Sequence, residues 1–315
     1  MSVDERSDQF RAASVMILVG LLGVTINGYV IYAVHKHKMF GRSFGAICIS
    51  QMIATFGNSF MFAFFVGPIT AIDVTFHSTY LGKRCGQLLM IFWNASQLSQ
   101  LVIAINRFVN LYFPFRYEAI FDNDVTFGSI YAVWIISVAQ GMPYFWDSCT
   151  LLFDPKTFTF GFINTTCSQL IGYYLDFDLS IAVVSTIALI DFTSFLKIHQ
   201  LQKRGSLRLM RKDVKFFLQA WVQAMASIAE LVVYFWVAPL AKNNKWIHFS
   251  LTTLSWILVE LVDGLVAIIF NSEMRQSVSR VSPKEPEKPA PASIYPGASK
   301  PLPPIRRESD LIQVI

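Results

Sequence analysis

Residues 104–117 read AINRFVNLYFPFRY, and they close a greasy run with a single arginine, Arg107. About twenty mostly apolar residues precede it, and Phe108-Val109-Asn110-Leu111-Tyr112-Phe113 follow. Such an arginine has two readings. It marks the end of an apolar helix, with the guanidinium snorkelling to water, or it is placed there for a task. The rest of the chain decides between them.

Of 315 residues, 54% are hydrophobic and 15% are charged. A soluble domain carries about 25% charged residues, so this chain is too poor in charge to cover a globular surface of its size. The charges also cluster, and the gaps between clusters approach the roughly twenty residues that a bilayer-crossing helix needs. Seven apolar runs stand out, at 12–34, 44–66, 85–113, 125–146, 172–196, 216–238 and 247–270. No alternating barrel pattern is present, so the runs are expected to be helices, which satisfy their own backbone in lipid. The expected architecture is an all-α membrane protein, a bundle of seven transmembrane helices over 12–270. Residues 1–11 form a polar N-terminal segment. It lacks the basic region and cleavage site of a signal peptide, so the first span is expected to serve as an uncleaved anchor. Residues 271–280 suit a short amphipathic surface helix, and 281–315 a Pro- and Ser-rich disordered tail.

Basic residues set the orientation. Lys36, Lys38, Arg42, Arg116 and the basic run at 197–215 fall on one side, with Arg275 and Arg280 after the last span. The opposite segments hold fewer, among them Lys83, Arg84 and Lys156. The N-terminus is expected outside and the C-terminus in the cytoplasm. Cys48 lies within the second run and suits a buried hydrophobe. Cys85, Cys149 and Cys167 map to the outer, oxidising side. Asn164-Thr165-Thr166 is a glycosylation sequon on that side, whereas the sequon at Asn94 lies in mid-span.

In the third run Asn94, Gln97, Gln100, Ala104 and Arg107 recur every three or four residues and share one helix face. Polar groups in lipid usually face a protein interior or a wet cavity. Arg107 is therefore the inner end of a polar stripe aimed into the bundle. Cys85 lies about 33 Å away at 1.5 Å per residue, one bilayer crossing.

With seven spans, an inner Arg and an outer Cys on the third, the sequence resembles a G-protein-coupled receptor. Asn27 in GVTINGY and Trp134 in the fourth span add to the likeness, as does DGLVAIIFNSEMR running past the seventh. In detail NRFVNLYFPFRYEAIF, DFDLSIAVVSTIALIDFTSFLKI, NNKWIHF and DGLVAIIFNSE are similar to class x of the nematode serpentine chemoreceptors (srx). The chain departs from the rhodopsin-like pattern at Asn106 and Phe108, which flank Arg107 in place of the Asp and Tyr of the usual triplet. It departs again at Asp263-Gly264, where Asn-Pro is usual, and in the second span, which has no Asp.

The resemblance implies a receptor for a small molecule that activates a heterotrimeric G protein, located in the plasma membrane of sensory neurons. Asn106, Arg107 and Phe108 would form the coupling switch. Arg107, without an adjacent acid, is expected to pair with Asp213 at the inner end of the sixth span, with Asp191 in the fifth as the other candidate. Asp263 is expected either to replace the acid missing from the second span, in a polar cluster with Asn27, Gln51 and Glu260, or to stand protonated and hydrogen-bonded. The pocket would lie in the outer half of the bundle, with Leu89, Met90, Trp93 and Asn94 on the third helix. Trp236, Thr253 and Trp256 join them, and Glu230 is either a ligand contact or an interior acid. Leu89 stands where amine receptors carry an Asp, which points away from an amine. The same likeness implies a disulfide from Cys85 to the long loop, through Cys167 or alternatively Cys149. That loop has a turn signal at Asp154-Pro155 between β-prone arms.

The basic loop at 197–215 suits contact with anionic membrane lipids or with a G protein. In the tail, residues 301–306 fit an SH3-binding pattern, and 306–309 a basophilic kinase site. No metalloprotease motif, nucleophilic triad or metal-spaced His/Cys cluster is present, no Lys in the seventh span can hold retinal, and nothing indicates nucleic acid. No enzyme, cofactor or metal is expected. The remaining alternative is a small-solute transporter or other non-signalling membrane protein, which internal duplication would favour; none is visible.

Overall fold

The structure, a computed structural model, describes residues 3–38, 40–203, 211–271 and 274–275. Among these residues seven helices are long and apolar enough to cross a membrane. They are α1 (Asp4–His37), α2 (Arg42–Ile72), α3 (Tyr80–Tyr112), α4 (Asn123–Phe145), α5 (Thr166–Leu201), α6 (Leu218–Ala241) and α7 (Lys245–Phe270). Local chemistry fixes their starts. The Thr79 hydroxyl accepts from the Gly82 amide to cap α3, Asp122 accepts from Val125 before α4, and Asn244 accepts from Trp246 and Ile247 at α7.

Helix α1 begins well before residue 12. Asp4 and Glu5 sit in its first turn and His35, Lys36 and His37 in its last, each matched to the helix dipole. The polar start is packed as well. The Gln9 side-chain amide donates to the Thr70 carbonyl at 2.5 Å, and Asp8 pairs with Lys245 at the start of α7.

Helix α3 is the axis of the bundle, packed against α2, α4 and α5, while α7 packs between α1 and α6 and also reaches α2. Its most apolar window is 61% buried, against 22% for peripheral α4. Large apolar side chains such as Leu18, Tyr131, Ile135 and Leu189 point outwards. A water-soluble monomer rarely exposes so continuous an apolar surface; a helix facing lipid requires it.

A hairpin joins α4 to α5. Strands β1 (Leu151–Asp154) and β2 (Thr159–Phe162) pair antiparallel, from Leu151 opposite Phe162 to Asp154 opposite Thr159. The turn forms where Asp154-Pro155 predicts it, with Phe158 in the left-handed region at φ 58°. The hairpin docks on the bundle: the Phe158 carbonyl accepts from Thr253 and the Phe160 carbonyl from Tyr234, each at 3.0 Å. The largest apolar core lies beneath it and includes Met16, Phe62, Leu89, Trp93, Phe160 and Trp256.

The expected Cys85 disulfide does not form. Cys149 bonds Cys167, with Cα atoms 5.1 Å apart, and clamps the two ends of the hairpin loop together. Cys85 is a free thiol, 6% exposed and packed in the apolar core. The loop cysteines are adjacent because the antiparallel strands between them return the chain to its starting point.

Four helices widen into π-helical turns at the hairpin end: Phe62–Val66, Ile171–Asp178, Val233–Val237 and Ser250–Leu254. Such turns often accompany functional sites. Within the surface helix expected at 271–280, the described residues are Asn271, which is extended, and Met274 and Arg275, which are helical; Met274 is buried against Val30, Val34, Met52 and Ala267. The proline-rich tail, with its SH3 and kinase patterns, lies outside the described residues.

Candidate functional site

A cleft lies under the hairpin, and two of the π turns supply Asp176, Tyr234 and Phe235 to its wall. Met90 and Trp93 come from α3, Leu151 from β1, Asp176 from α5, Glu230, Leu231, Tyr234 and Phe235 from α6, and Trp256 from α7. The cleft has a cavity volume of about 20 Å³ and opens at one side. Aromatic rings form much of its wall, with Trp93 and Trp256 edge to face at 6.1 Å.

Of the side chains expected in a pocket, Met90, Trp93, Glu230 and Trp256 line this cleft. Leu89 is fully buried in the core beside it. Asn94 is buried one helical position below Trp93 and is not on the wall. Thr253 is committed to the hairpin carbonyl. Trp236 is a correction: it is 64% exposed and lies against Phe177 on the outer surface. The π turn at Val233–Val237 breaks the 3.6-residue phase, so Tyr234 and Phe235 take the inward positions. Asp176 escaped the sequence reading because an acid near the start of an apolar run reads as its boundary. The available signal was the flanking aromatic run, GYYLDFD.

Below the cleft lies a polar layer. The Asn58 side-chain amide donates to Glu260 Oε1 at 2.8 Å, and the Asn27 amide to the Glu260 carbonyl at 3.1 Å. Gln100 donates to Asp263 Oδ2 at 3.0 Å and Gln223 to the Asp263 carbonyl at 3.3 Å. Gln51 is buried beside Asp263. The four residues expected to cluster therefore meet, joined by Asn58, Gln100 and Gln223. Gln100 belongs to the polar stripe of α3; Asn94, Gln97, Gln100 and Ala104 are all buried, as the spacing predicts. Gly264 makes the closeness possible. A Cβ there would fall 2.2 Å from Asn27 Oδ1.

At the opposite end of α3, Arg107 Nη2 lies 3.3 Å from both carboxylate oxygens of Asp191 on α5. The Asp191 side chain is 1% exposed and that of Arg107 13%. The guanidinium is thus part of a shielded ion pair and not a snorkelling end. The preferred partner, Asp213, has a side chain outside the described residues, so the pairing seen is with the other candidate. Asn106 accepts from the Tyr117 hydroxyl at 3.2 Å, and Phe108 stacks on Tyr112 with ring centroids 4.3 Å apart.

Polar contacts also brace the hairpin end. His77 stacks on Phe153 at 4.2 Å and shares a 2.9 Å hydrogen bond with the Thr70 hydroxyl. Burial pushes its pKa down to about 4. Lys83 donates to Asp147 at 2.9 Å, which holds that carboxyl below its ordinary range. Asn164 is exposed at this end, its side-chain oxygen accepting from Gln169.

The fold is that of a rhodopsin. The crystal structure of squid rhodopsin superposes with a TM-score of 0.61, covering 87% of this chain and 85% of that one at 16% identity. The sequence model described as serpentine type 7TM GPCR chemoreceptor Srx matches residues 17–271. The chain belongs to the Srx family. Two Caenorhabditis elegans proteins are similar along most of their length. Serpentine receptor class X 45 is 26% identical over 288 residues, spanning 84% of this chain and 79% of that protein. Serpentine receptor class X-43 is 25% identical over 289 residues, spanning 87% and 88%. This Srx protein is therefore a multi-pass membrane protein of the G-protein-coupled receptor class and not an enzyme. Among the described residues no group of three or more His, Cys, Asp or Glu side chains is placed to hold a metal ion.

Proposed function

We propose that this Srx protein is a chemosensory receptor that binds a small molecule in the hairpin-capped cleft and activates a heterotrimeric G protein at the Arg107 end. One observation carries this reading. The α3 face that supplies Met90 and Trp93 to the cleft continues through Gln100, bonded to Asp263, to the shielded Arg107–Asp191 pair. A ligand that shifts α3 against α5 or α7 therefore acts on the same helix that holds the arginine, and it moves the equilibrium only by its differential affinity for the two arrangements.

In this reading Asn106, Arg107 and Phe108 form the coupling face, and Asp191, with Asp213 as a further candidate, holds it closed. Asn27, Gln51, Glu260 and Asp263 form the hinge layer. Trp93, Met90, Glu230 and Trp256 meet the ligand. The hairpin end faces outward, carries a glycan on Asn164, and leaves the C-terminus in the cytoplasm of a sensory neuron, where anionic lipid and an SH3 protein are partners for the basic loop and tail. A reporter of G-protein activation in cells expressing the chain, screened against volatile and water-soluble metabolites, tests the function. Ligand-dependent signal lost in Arg107→Ala is expected. Solute flux without nucleotide exchange would replace a receptor with a transporter.

A further inference from the structure

Asp176 and Glu230 face the cleft from α5 and α6, each 7% exposed. They are close enough to repel one another. Among the described residues no ion pair or hydrogen bond reaches either carboxylate, and Asp176 Oδ1 is fully buried without a partner. Two buried acids turned into one cleft are costly unless something compensates them. The wall around them is aromatic: Trp93, Trp256, Tyr234 and Phe235. Aromatic faces attract cations, more strongly once water is excluded. The indole Nε1–H of Trp256, in a side chain 5% exposed, is a second orphaned polar group on the same wall.

We infer that the cleft is built for a small organic ammonium ion, seated between Asp176 and Glu230 and against the Trp93 and Trp256 rings. The inference rests on the proposed reading of the cleft as the ligand site and names the ligand's chemistry. An ammonium group offers only donors and a carboxylate, when ionised, only acceptors, so the pairing leaves neither frustrated. A bare divalent ion is a poorer fit, because beyond the two acids the one side-chain oxygen on the wall is the Tyr234 hydroxyl, already bonded to the Phe160 carbonyl, and Met90, Leu151 and Leu231 add none. Those apolar side chains suit the hydrocarbon of an amine. The Trp256 N–H adds a donor for a hydroxyl, ether or carbonyl oxygen on the ligand. Leu89 at the third-span position pointed away from an amine in the sequence; the folded chain brings its acids from the fifth and sixth helices instead.

The test uses the full chain purified in detergent, thermal unfolding as the readout, and three probes of one shape: 2-phenylethylammonium, neutral 2-phenylethanol and anionic phenylacetate. Methylammonium and tetramethylammonium extend the cation series. At least one cation is expected to raise Tm saturably while the alcohol and the anion do not. Asp176→Asn and Glu230→Gln are each expected to weaken that response at least tenfold while leaving the unliganded Tm equal or higher, which shows that both variants fold. Equal stabilisation by 2-phenylethanol, a cation response that survives the double substitution, or no response to any of the cations overturns the inference. Basal nucleotide exchange compared with Arg107→Ala tests the signalling reading separately. Cation binding without exchange keeps this inference and removes that one.

Discussion

Replacing Asp191 by Asn removes one charge from the Arg107 pair and almost nothing of its shape. At the observed 3.3 Å, unit charges in an effective dielectric of about 20 attract by about 5 kcal/mol. Much of that is offset by desolvation, since the carboxylate is 1% exposed. Taking one partner from a buried pair nonetheless costs about 3–5 kcal/mol, because the remaining charge stays buried. The tie joins α3 to α5, so it is strained or lost in any arrangement that parts those helices. If even about 1.4 kcal/mol of the cost falls on the closed arrangement alone, the ratio of open to closed receptor rises about tenfold. The assay is guanine-nucleotide exchange on membranes without ligand, normalised to surface receptor by an N-terminal epitope tag. Asp191→Asn is expected to raise basal exchange several-fold or more, and Asp191→Asn with Arg107→Ala to abolish it. Basal exchange in Asp191→Asn equal to the parent, at equal surface density, would refute the claim that this pair holds the receptor closed.

Three further outcomes follow from the geometry. Peptide mapping without reduction is expected to recover a Cys149–Cys167 crosslink and free thiols at Cys48 and Cys85; Cys149→Ser and Cys167→Ser should each cost about 3 kcal/mol of stability, and Cys85→Ala far less. His77 is held neutral in the fold with a pKa of about 4, below its ordinary value near 6.5. Its contribution is complete above about pH 6.5 and declines as pH falls to 4, with about 2 kcal/mol of it lost by pH 5, and the Tm difference between the parent and His77→Gln across that window measures the loss. Gly264→Ala places a methyl 2.2 Å from Asn27 Oδ1 and 2.8 Å from Ile26 Cγ2. It is expected to lower stability by about 1–3 kcal/mol, read as a drop in Tm in detergent.

The seven helices were legible because the bilayer imposes length and hydropathy on each span separately, without reference to the others. The stripe from Asn94 to Arg107 was legible for a related reason: α3 keeps a regular 3.6-residue phase from Tyr80 to Tyr112. Where that regularity fails, the sequence misleads. The phase of α6 slips at Val233–Val237, so Trp236 turned out to face outward and Tyr234 inward. Asp176 lies in the π-helical turn Ile171–Asp178, where a 3.6-residue wheel places nothing correctly. The cysteine pairing depended on a Cα separation that only the folded hairpin sets. The reach of Arg107 to Asp191 was open in the sequence because the depth of a side chain along a tilted helix is not written in its spacing.

The wide turns at the hairpin end have a consequence for how such receptors diversify. Each holds one residue more than an ordinary helix would, and deleting or adding a residue there rotates every position beyond it by about 100° relative to the span below. A single-codon change at Ile171–Asp178 or Val233–Val237 therefore presents a wholly different set of side chains to the cleft while the far half of the same helix stays in register. Lineages built on this plan can re-line the cleft without disturbing the other end of the bundle.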